Sequence, residues 1–140
     1  MLALHTFLFH NMQCKKTPRF NFDPANHLFY ESVDNPREHL ASNVSSVGSM
    51  HIKDAMPIDG MDWPAEEVIS GEGVADPFGC MYELSRKRPG SDYKYKGEFV
   101  IECEMQMDYE EKLAKCVEVA KRVKKYRDRY FPVATTATAA

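Results

Sequence analysis

Residues 108–131, DYEEKLAKCVEVAKRVKKYRDRYF, carry the strongest structural signal of the chain. The apolar residues of this segment recur at intervals of three and four, which is the spacing of one face of an α-helix. Asp108 is a suitable N-cap with Glu111 three residues later, and Pro132 follows the last residue, so both ends of the helix are marked. We therefore predict a long amphipathic helix over Asp108–Phe131.

The segment directly before this helix, residues 93–107, alternates apolar and charged side chains. A period of two is typical of a β-strand with one solvated face. Cys80–Arg86 is predicted as a second strand, and Pro89-Gly90 is a turn signal between the two. Residues 80–131 are thus predicted to form a hairpin followed by a helix, which packs on the sheet face that carries Phe99 and Ile101.

The first half of the chain is less regular than the second. We predict strands at Leu2–His10 and His27–Val33, and a short helix from Asn35-Pro36 to about Ser42, where an N-cap precedes a proline. A further helix is predicted to begin at Asp62-Trp63-Pro64 and to run to about Ser70.

These elements predict an α+β fold with two layers, in which one long C-terminal amphipathic helix packs on an antiparallel sheet of about four or five strands. The length of 140 residues predicts a single domain at 1–133, with a loop-rich first half at 1–79 and the hairpin and helix at 80–131. An Ala/Thr-rich tail follows at 134–140.

Composition excludes several classes of protein. The mean hydropathy is −0.49 and no apolar run approaches the roughly 18 residues of a membrane span, so we expect no membrane insertion. The four cysteines form no CxxC pair, which favours a reducing, intracellular compartment, or a virion if the protein is viral.

Charge is unevenly distributed along the chain. Residues 1–85 carry 5 Lys and Arg against 12 Asp and Glu, whereas residues 86–140 carry 13 against 9. A basic patch that could bind nucleic acid is predicted at Arg86, Lys87, Arg88, Lys121, Arg122, Lys124 and Lys125. The sequence pI of about 5.9 argues against this use, and cations near a helix C-terminus are favourable without any ligand.

Five histidines lie within the first 51 residues, close in sequence to carboxylates such as Glu31 and Asp54. None has the spacing of an HExxH metal motif, so the sequence predicts neither a metal nor another cofactor. A small enzyme or ligand-binding domain remains an alternative, with His27 or His39 and Glu31 at the mouth of a pocket between helix and sheet.

Methionines and aromatic residues in loops are numerous for so short a chain, and they favour contacts with other proteins. The predicted protein interface consists of Met50, Met56, Met61, Trp63, Glu98, Glu102 and Glu104. The sequence therefore favours a non-catalytic structural or adaptor subunit of a larger assembly, such as a virus or phage particle, with protein partners or as a homo-oligomer. Nucleic-acid binding and the small enzyme are the alternatives.

Overall fold

The computed structural model describes residues 19–30, 35–58 and 65–132. The predicted strand at Leu2–His10 and the tail at 134–140 lie outside these ranges. In chain order the elements are β1 (Phe20–Phe22), α1 (Pro24–Tyr30), α2 (Pro36–Asn43), a 3-10 turn (Val44–Ser46), β2 (Val47–Ile52), β3 (Asp54–Pro57), β4 (Ala65–Val68), α3 (Pro77–Ser85), β5 (Glu98–Ile101) and α4 (Tyr109–Tyr130).

The main sheet has the order β1-β2-β5, and both strand pairs are parallel. Phe22 pairs with Met50, and Ile52 pairs with Ile101. A separate antiparallel pair joins β3 to β4, with Asp54 opposite Val68. The predicted antiparallel sheet of four or five strands is therefore wrong. Helical crossovers lie between successive strands of the main sheet, and such crossovers are what parallel pairing requires.

The predicted strand at Cys80–Arg86 is helix α3. Asp76 caps this helix, because its Oδ1 accepts the Gly79 N–H at 2.8 Å, and Pro77 occupies the first turn. Phe78, Met81 and Leu84 recur every three residues and are buried. This is a helical period, so the predicted strand is wrong and no hairpin forms in residues 80–101.

Other segments of the prediction also change. The described part of the strand expected at His27–Val33 ends at Tyr30, and it belongs to helix α1, which begins with Pro24. Only Glu98–Ile101 of the alternating segment 93–107 pairs as a strand. Residues 65–68, expected in a helix, form β4. The central strand β2 falls in a stretch where the sequence indicated a loop.

Two predicted helices are confirmed. Helix α4 spans Tyr109–Tyr130, and the Asp108 side chain accepts the N–H groups of Glu110 and Glu111 at 2.8 and 3.1 Å. Helix α2 spans Pro36–Asn43 with Asn35 as its N-cap. None of the helices in the described ranges combines the length and the apolar character that crossing a membrane requires.

The helices pack on the parallel sheet around one main core. Its largest fully buried apolar side chains include Phe22, Leu40, Met50, Ile52 and Met81. Helix α4 contributes Val119 to this core, with Val123 and Tyr126 packed against it. The core fixes the three parallel strands relative to one another and so fixes the positions of their carboxyl ends.

Candidate metal centre

Three side chains meet at the carboxyl ends of the parallel strands. Asp23 directly follows β1, His51 is the penultimate residue of β2, and Glu102 directly follows β5. The carboxyl ends of parallel strands share one edge of a sheet, and this edge is where β/α proteins place their ligands. One ligand atom from each residue lies within 4.8 Å of the other two.

The His51 imidazole lies between the two carboxylates. Its Nδ1 is 3.1 Å from Asp23 Oδ2 and also contacts Glu102 Oε2. Carboxylate oxygens only accept hydrogen bonds, so these contacts require a hydrogen on Nδ1. A metal ion at the same place would displace that hydrogen and bind the nitrogen lone pair.

Asp23 is held in position by its own helix. Its Oδ1 accepts the Asn26 N–H at 3.0 Å, which caps the first turn of α1, while Oδ2 faces His51. The side chain is only 5% exposed. The cap thus fixes one carboxylate oxygen and leaves the other directed at the centre.

Lys53 supplies positive charge beside the centre. Its ammonium lies 3.1 Å from Glu102 Oε1 and also contacts Glu104 Oε2, and its side chain is 3% exposed. Burial works to lower the pKa of Lys53, but the hydrogen bonds to Glu104 and Glu102 outweigh it and hold that pKa above its ordinary value. Lys53 is therefore charged at any physiological pH.

Glu104 and Glu67 form an outer layer around Lys53. The hydrogen bond and charge of Lys53 lower the pKa of Glu104. The Glu104 N–H donates to the Glu67 carboxylate at 3.0 Å, yet burial of Glu67 raises its pKa above the usual range. This layer ties the segment after β5 to strand β4.

The donor set suits a divalent cation. One imidazole and two carboxylates are ligands that Mn²⁺, Fe²⁺, Co²⁺ and Zn²⁺ accept, and carboxylates also suit Mg²⁺. The three side chains are buried or half-buried rather than extended into solvent. Lys53 offsets part of the negative charge of Glu102. It does so through Oε1, the oxygen that does not contact His51.

Asp54, directly after Lys53 in the chain, is a further carboxylate, and its environment differs from that of the three candidate ligands. It is fully buried and accepts four backbone N–H groups, from Ala55, Gly71, Gly73 and Ala75, at 2.7 to 3.1 Å. A Cβ at Gly73 would lie 2.5 Å from Asp54 Oδ1, so only glycine lets the backbone approach this closely. Asp54 holds the loop 70–75 and has no oxygen left for a ligand.

The predicted basic patch is divided between the segment directly after α3 and helix α4, and most of its members have partners within the chain. Arg86 and Arg88 lie 3.1 and 3.8 Å from the buried Glu83 carboxylate. Arg122 donates to the Ser70 carbonyl at 2.8 Å. Lys121 pairs with Glu118 and Lys124 with Asp128, while Lys87 and Lys125 are exposed. Nucleic-acid binding through this set stays a prediction.

The predicted protein interface is divided by the structure. Met50 is fully buried in the core, so it cannot contact a partner, whereas Met56 and Glu98 are exposed. Glu102 and Glu104 contact the buried Lys53. Met61 and Trp63 lie outside the described residues.

The predicted pocket histidines lie on helices next to the core. His27 of α1 and His39 of α2 stack with their ring centroids 4.6 Å apart, and Phe22 lies 4.9 Å from His27. Glu31 lies outside the described residues. The stacking places both rings in a helix–helix contact and not in the group formed by Asp23, His51 and Glu102.

Sequence reasoning missed this group because it looked for ligands at fixed spacing along one helix. Two signals were available. Asp23-Pro24 resembles Asn35-Pro36 and marks a helix start, and the run His51-Ile52-Lys53-Asp54 places polar residues at the end of an apolar strand. Neither signal brings Glu102 into the site, because that needs the parallel pairing of β2 with β5.

Comparison with solved structures finds a fold neighbour. The crystal structure of a xylose isomerase domain protein from Planctomyces limnophilus superposes with a TM-score of 0.68 and 25% sequence identity over 91% of this chain. The chain spans 44% of that protein, less than half of its length. No protein-family model and no curated protein sequence matches the chain.

This likeness corrects the predicted function. The expectation of a non-catalytic structural or adaptor subunit, in a virus particle or elsewhere, is wrong, since the neighbour indicates an enzyme or small-molecule-binding fold. The small enzyme or ligand-binding domain, an alternative from the sequence, fits better. The histidine that meets Asp23 and Glu102 is His51, and not the expected His27 or His39.

Proposed function

We propose that the chain contributes a divalent-cation centre to a β/α enzyme that isomerises a small sugar. The observation that carries this proposal is the convergence of Asp23, His51 and Glu102 at the carboxyl ends of three parallel strands. The fold neighbour, a xylose isomerase domain protein, supports the choice of substrate class. The chain spans less than half of that neighbour, so the activity of the whole protein belongs to the proposal.

Each ligand has a separate role in holding the cation. Asp23 offers Oδ2 while its Oδ1 stays on the cap of α1, and Glu102 offers Oε2 while its Oε1 stays on Lys53. His51 offers Nδ1 once the hydrogen on that atom is lost. The neutral imidazole can carry its hydrogen on Nε2 while Nδ1 binds the cation, so His51 holds the cation as a neutral ligand.

When bound, a divalent cation polarises the carbonyl and hydroxyl oxygens of a substrate as a Lewis acid. The side chains around the centre prepare it for that role. The buried Asp23 and Lys53 exclude water on the core side, and the partly exposed His51 and Glu102 leave an approach from solvent. The geometry thus allows a small polar substrate to approach the cation from the open side.

The test is Mn²⁺ binding to the purified chain, measured by electron paramagnetic resonance of the free ion. We expect one bound Mn²⁺ in the unaltered protein and an affinity at least about tenfold lower in His51→Gln, because a ligand is lost. His39→Gln is the matched control, since His39 lies on helix α2, and it should bind as the unaltered protein does. Equal binding by His51→Gln would contradict the proposed centre.

The substrate class is tested separately with Mn²⁺ bound. Aldoses are incubated with the protein, and ketose formation is followed by nuclear magnetic resonance. Conversion that is lost in His51→Gln supports the isomerase assignment. Mn²⁺ binding without conversion of any aldose leaves the cation centre in place and removes the proposed reaction.

A further inference from the structure

The two carboxylate oxygens of Glu102 have different partners. Oε2 contacts His51 Nδ1 within the proposed centre, whereas Oε1 accepts a hydrogen bond from Lys53 Nζ at 3.1 Å. A charge-assisted bond of this kind is stronger than one between neutral groups. One oxygen of Glu102 is therefore directed at the cation position and the other is directed away from it.

Lys53 is held in place by more than Glu102. Its Nζ also contacts Glu104 Oε2 and lies 5.6 Å from the centre of the Phe29 ring. The Glu104 backbone is fixed in turn by the Glu67 carboxylate. Only 3% of the Lys53 side chain is exposed, so these partners surround its ammonium in place of water.

The number of oxygens that a carboxylate offers affects which cation it prefers. Ca²⁺ takes six to eight oxygen ligands at about 2.3–2.6 Å and often binds a carboxylate through both oxygens. Smaller divalent cations such as Mn²⁺ and Mg²⁺ favour six ligands in octahedral geometry. Holding one oxygen of Glu102 away from the cation therefore costs Ca²⁺ more than it costs the smaller ions.

We propose that Lys53 is a positioning residue that confines Glu102 to one ligating oxygen and so makes the centre prefer Mn²⁺ over Ca²⁺. The inference rests on the proposed function, because it needs a cation bound at Asp23, His51 and Glu102. It goes beyond the ligand set by naming the side chain that sets cation preference.

A merely neutralising role for Lys53 predicts a different result. A lysine that only offset carboxylate charge would, when removed, raise the affinity for Mn²⁺ and Ca²⁺ by the same factor, because both ions carry two charges. A lysine that only supported the fold would change stability and leave the ratio of the two affinities unchanged. The ratio of the Ca²⁺ and Mn²⁺ dissociation constants therefore separates the three roles.

The experiment titrates Mn²⁺ and Ca²⁺ into three forms of the full chain by calorimetry: unaltered, Lys53→Met and Lys121→Met. Methionine keeps the length of the buried stem and removes the ammonium. Lys121, which pairs with Glu118 on the surface of α4, is the matched control. We expect the preference for Mn²⁺ to fall about tenfold in Lys53→Met and to stay unchanged in Lys121→Met.

The failure of this inference is distinguishable from failure of the proposed function. An unaltered protein that binds no Mn²⁺ overturns the centre itself, whereas Mn²⁺ binding with the same ion preference in Lys53→Met overturns only the role of Lys53. If Lys53→Met does not fold, a crystal structure of the unaltered protein with Mn²⁺ decides. The proposal is supported if Glu102 Oε1 still accepts the hydrogen bond from Lys53 in that structure. It is overturned if both oxygens of Glu102 bind the metal.

Discussion

Two carboxylate sites flank Lys53, and they are built in opposite ways. Asp54 on one side accepts four backbone N–H groups and is completely buried. Asp23 and Glu102 on the other side direct oxygens at the same imidazole nitrogen. A carboxylate saturated by backbone donors fixes a loop, whereas carboxylates that converge with acceptor capacity left over are suited to bind a cation.

The largest effect is expected from Asp54→Asn. The new amide group would face at least one backbone N–H and leave it without an acceptor, so we expect a loss of about 3 kcal/mol in the free energy of unfolding. Urea denaturation measures this loss. Glu72→Gln, on the exposed part of the same loop, should change stability by less than about 0.5 kcal/mol. Equal losses of stability in the two variants would contradict the structural role assigned to Asp54.

Mn²⁺ should stabilise the protein through the other site. At a free concentration one hundred times its dissociation constant, a ligand bound only to the folded state adds about 2.7 kcal/mol. Thermal unfolding with Mn²⁺ and with a chelator measures this gain. Asp23→Asn should abolish the gain, and equal stabilisation of that variant would place the bound Mn²⁺ elsewhere.

Cys80 lies next to the loop 70–75 that Asp54 holds. The pH dependence of stability therefore tests whether this loop stays closed over the thiol. Its Sγ lies 4.0 Å from the Ala75 carbonyl, and burial raises the pKa of this thiol well above its usual range. A raised thiol pKa means that the folded protein keeps the proton longer than the unfolded chain does. The stability from this group is therefore complete below about pH 8.5 and is lost as the pH rises further.

The expected loss is about 1.4 kcal/mol between pH 8 and 9.5, and Cys80→Ala should lack this part of the slope. Cys116→Ala, on the half-buried side of α4, serves as the control and should keep the slope. Parallel pH profiles for the unaltered protein and Cys80→Ala would show that the thiol is accessible and the loop open.

The smallest effect is expected from Asp23→Asn in the absence of metal. Asparagine keeps an oxygen that can accept the Asn26 N–H, and although its amide replaces the oxygen that faces His51 Nδ1, Glu102 Oε2 remains as an acceptor for that nitrogen. The free energy of unfolding should change by less than about 1 kcal/mol. A loss as large as that of Asp54→Asn would make both carboxylates structural and end the distinction between the two sites.

Short stretches of sequence mark the starts of three helices. Asp23-Pro24, Asn35-Pro36 and Asp76-Pro77 each begin a helix, and in each the acidic or amide side chain accepts the N–H three residues later. The prediction used this signal only at Asn35. Near the other two positions it placed strands, at His27–Val33 and Cys80–Arg86, because a short apolar run by itself does not separate a strand from a helix.

Strand pairing and the site could not be predicted in the same way. Alternation in residues 93–107 indicated a strand but carried no information on its neighbour, and β5 pairs in parallel with β2 only because the core places them side by side. Met50 shows the same limit, since an apolar residue fits an interface or a core equally well until its neighbours are known.

The sequence by itself determined the long helix after Asp108, the helix after Asn35 and the absence of a local metal motif, because caps, prolines and periodicity act over a few residues. Only the tertiary structure decided that Asp23, His51 and Glu102 meet. Their convergence depends on three strands that lie far apart in the chain and pair in parallel, so that their carboxyl ends share one edge.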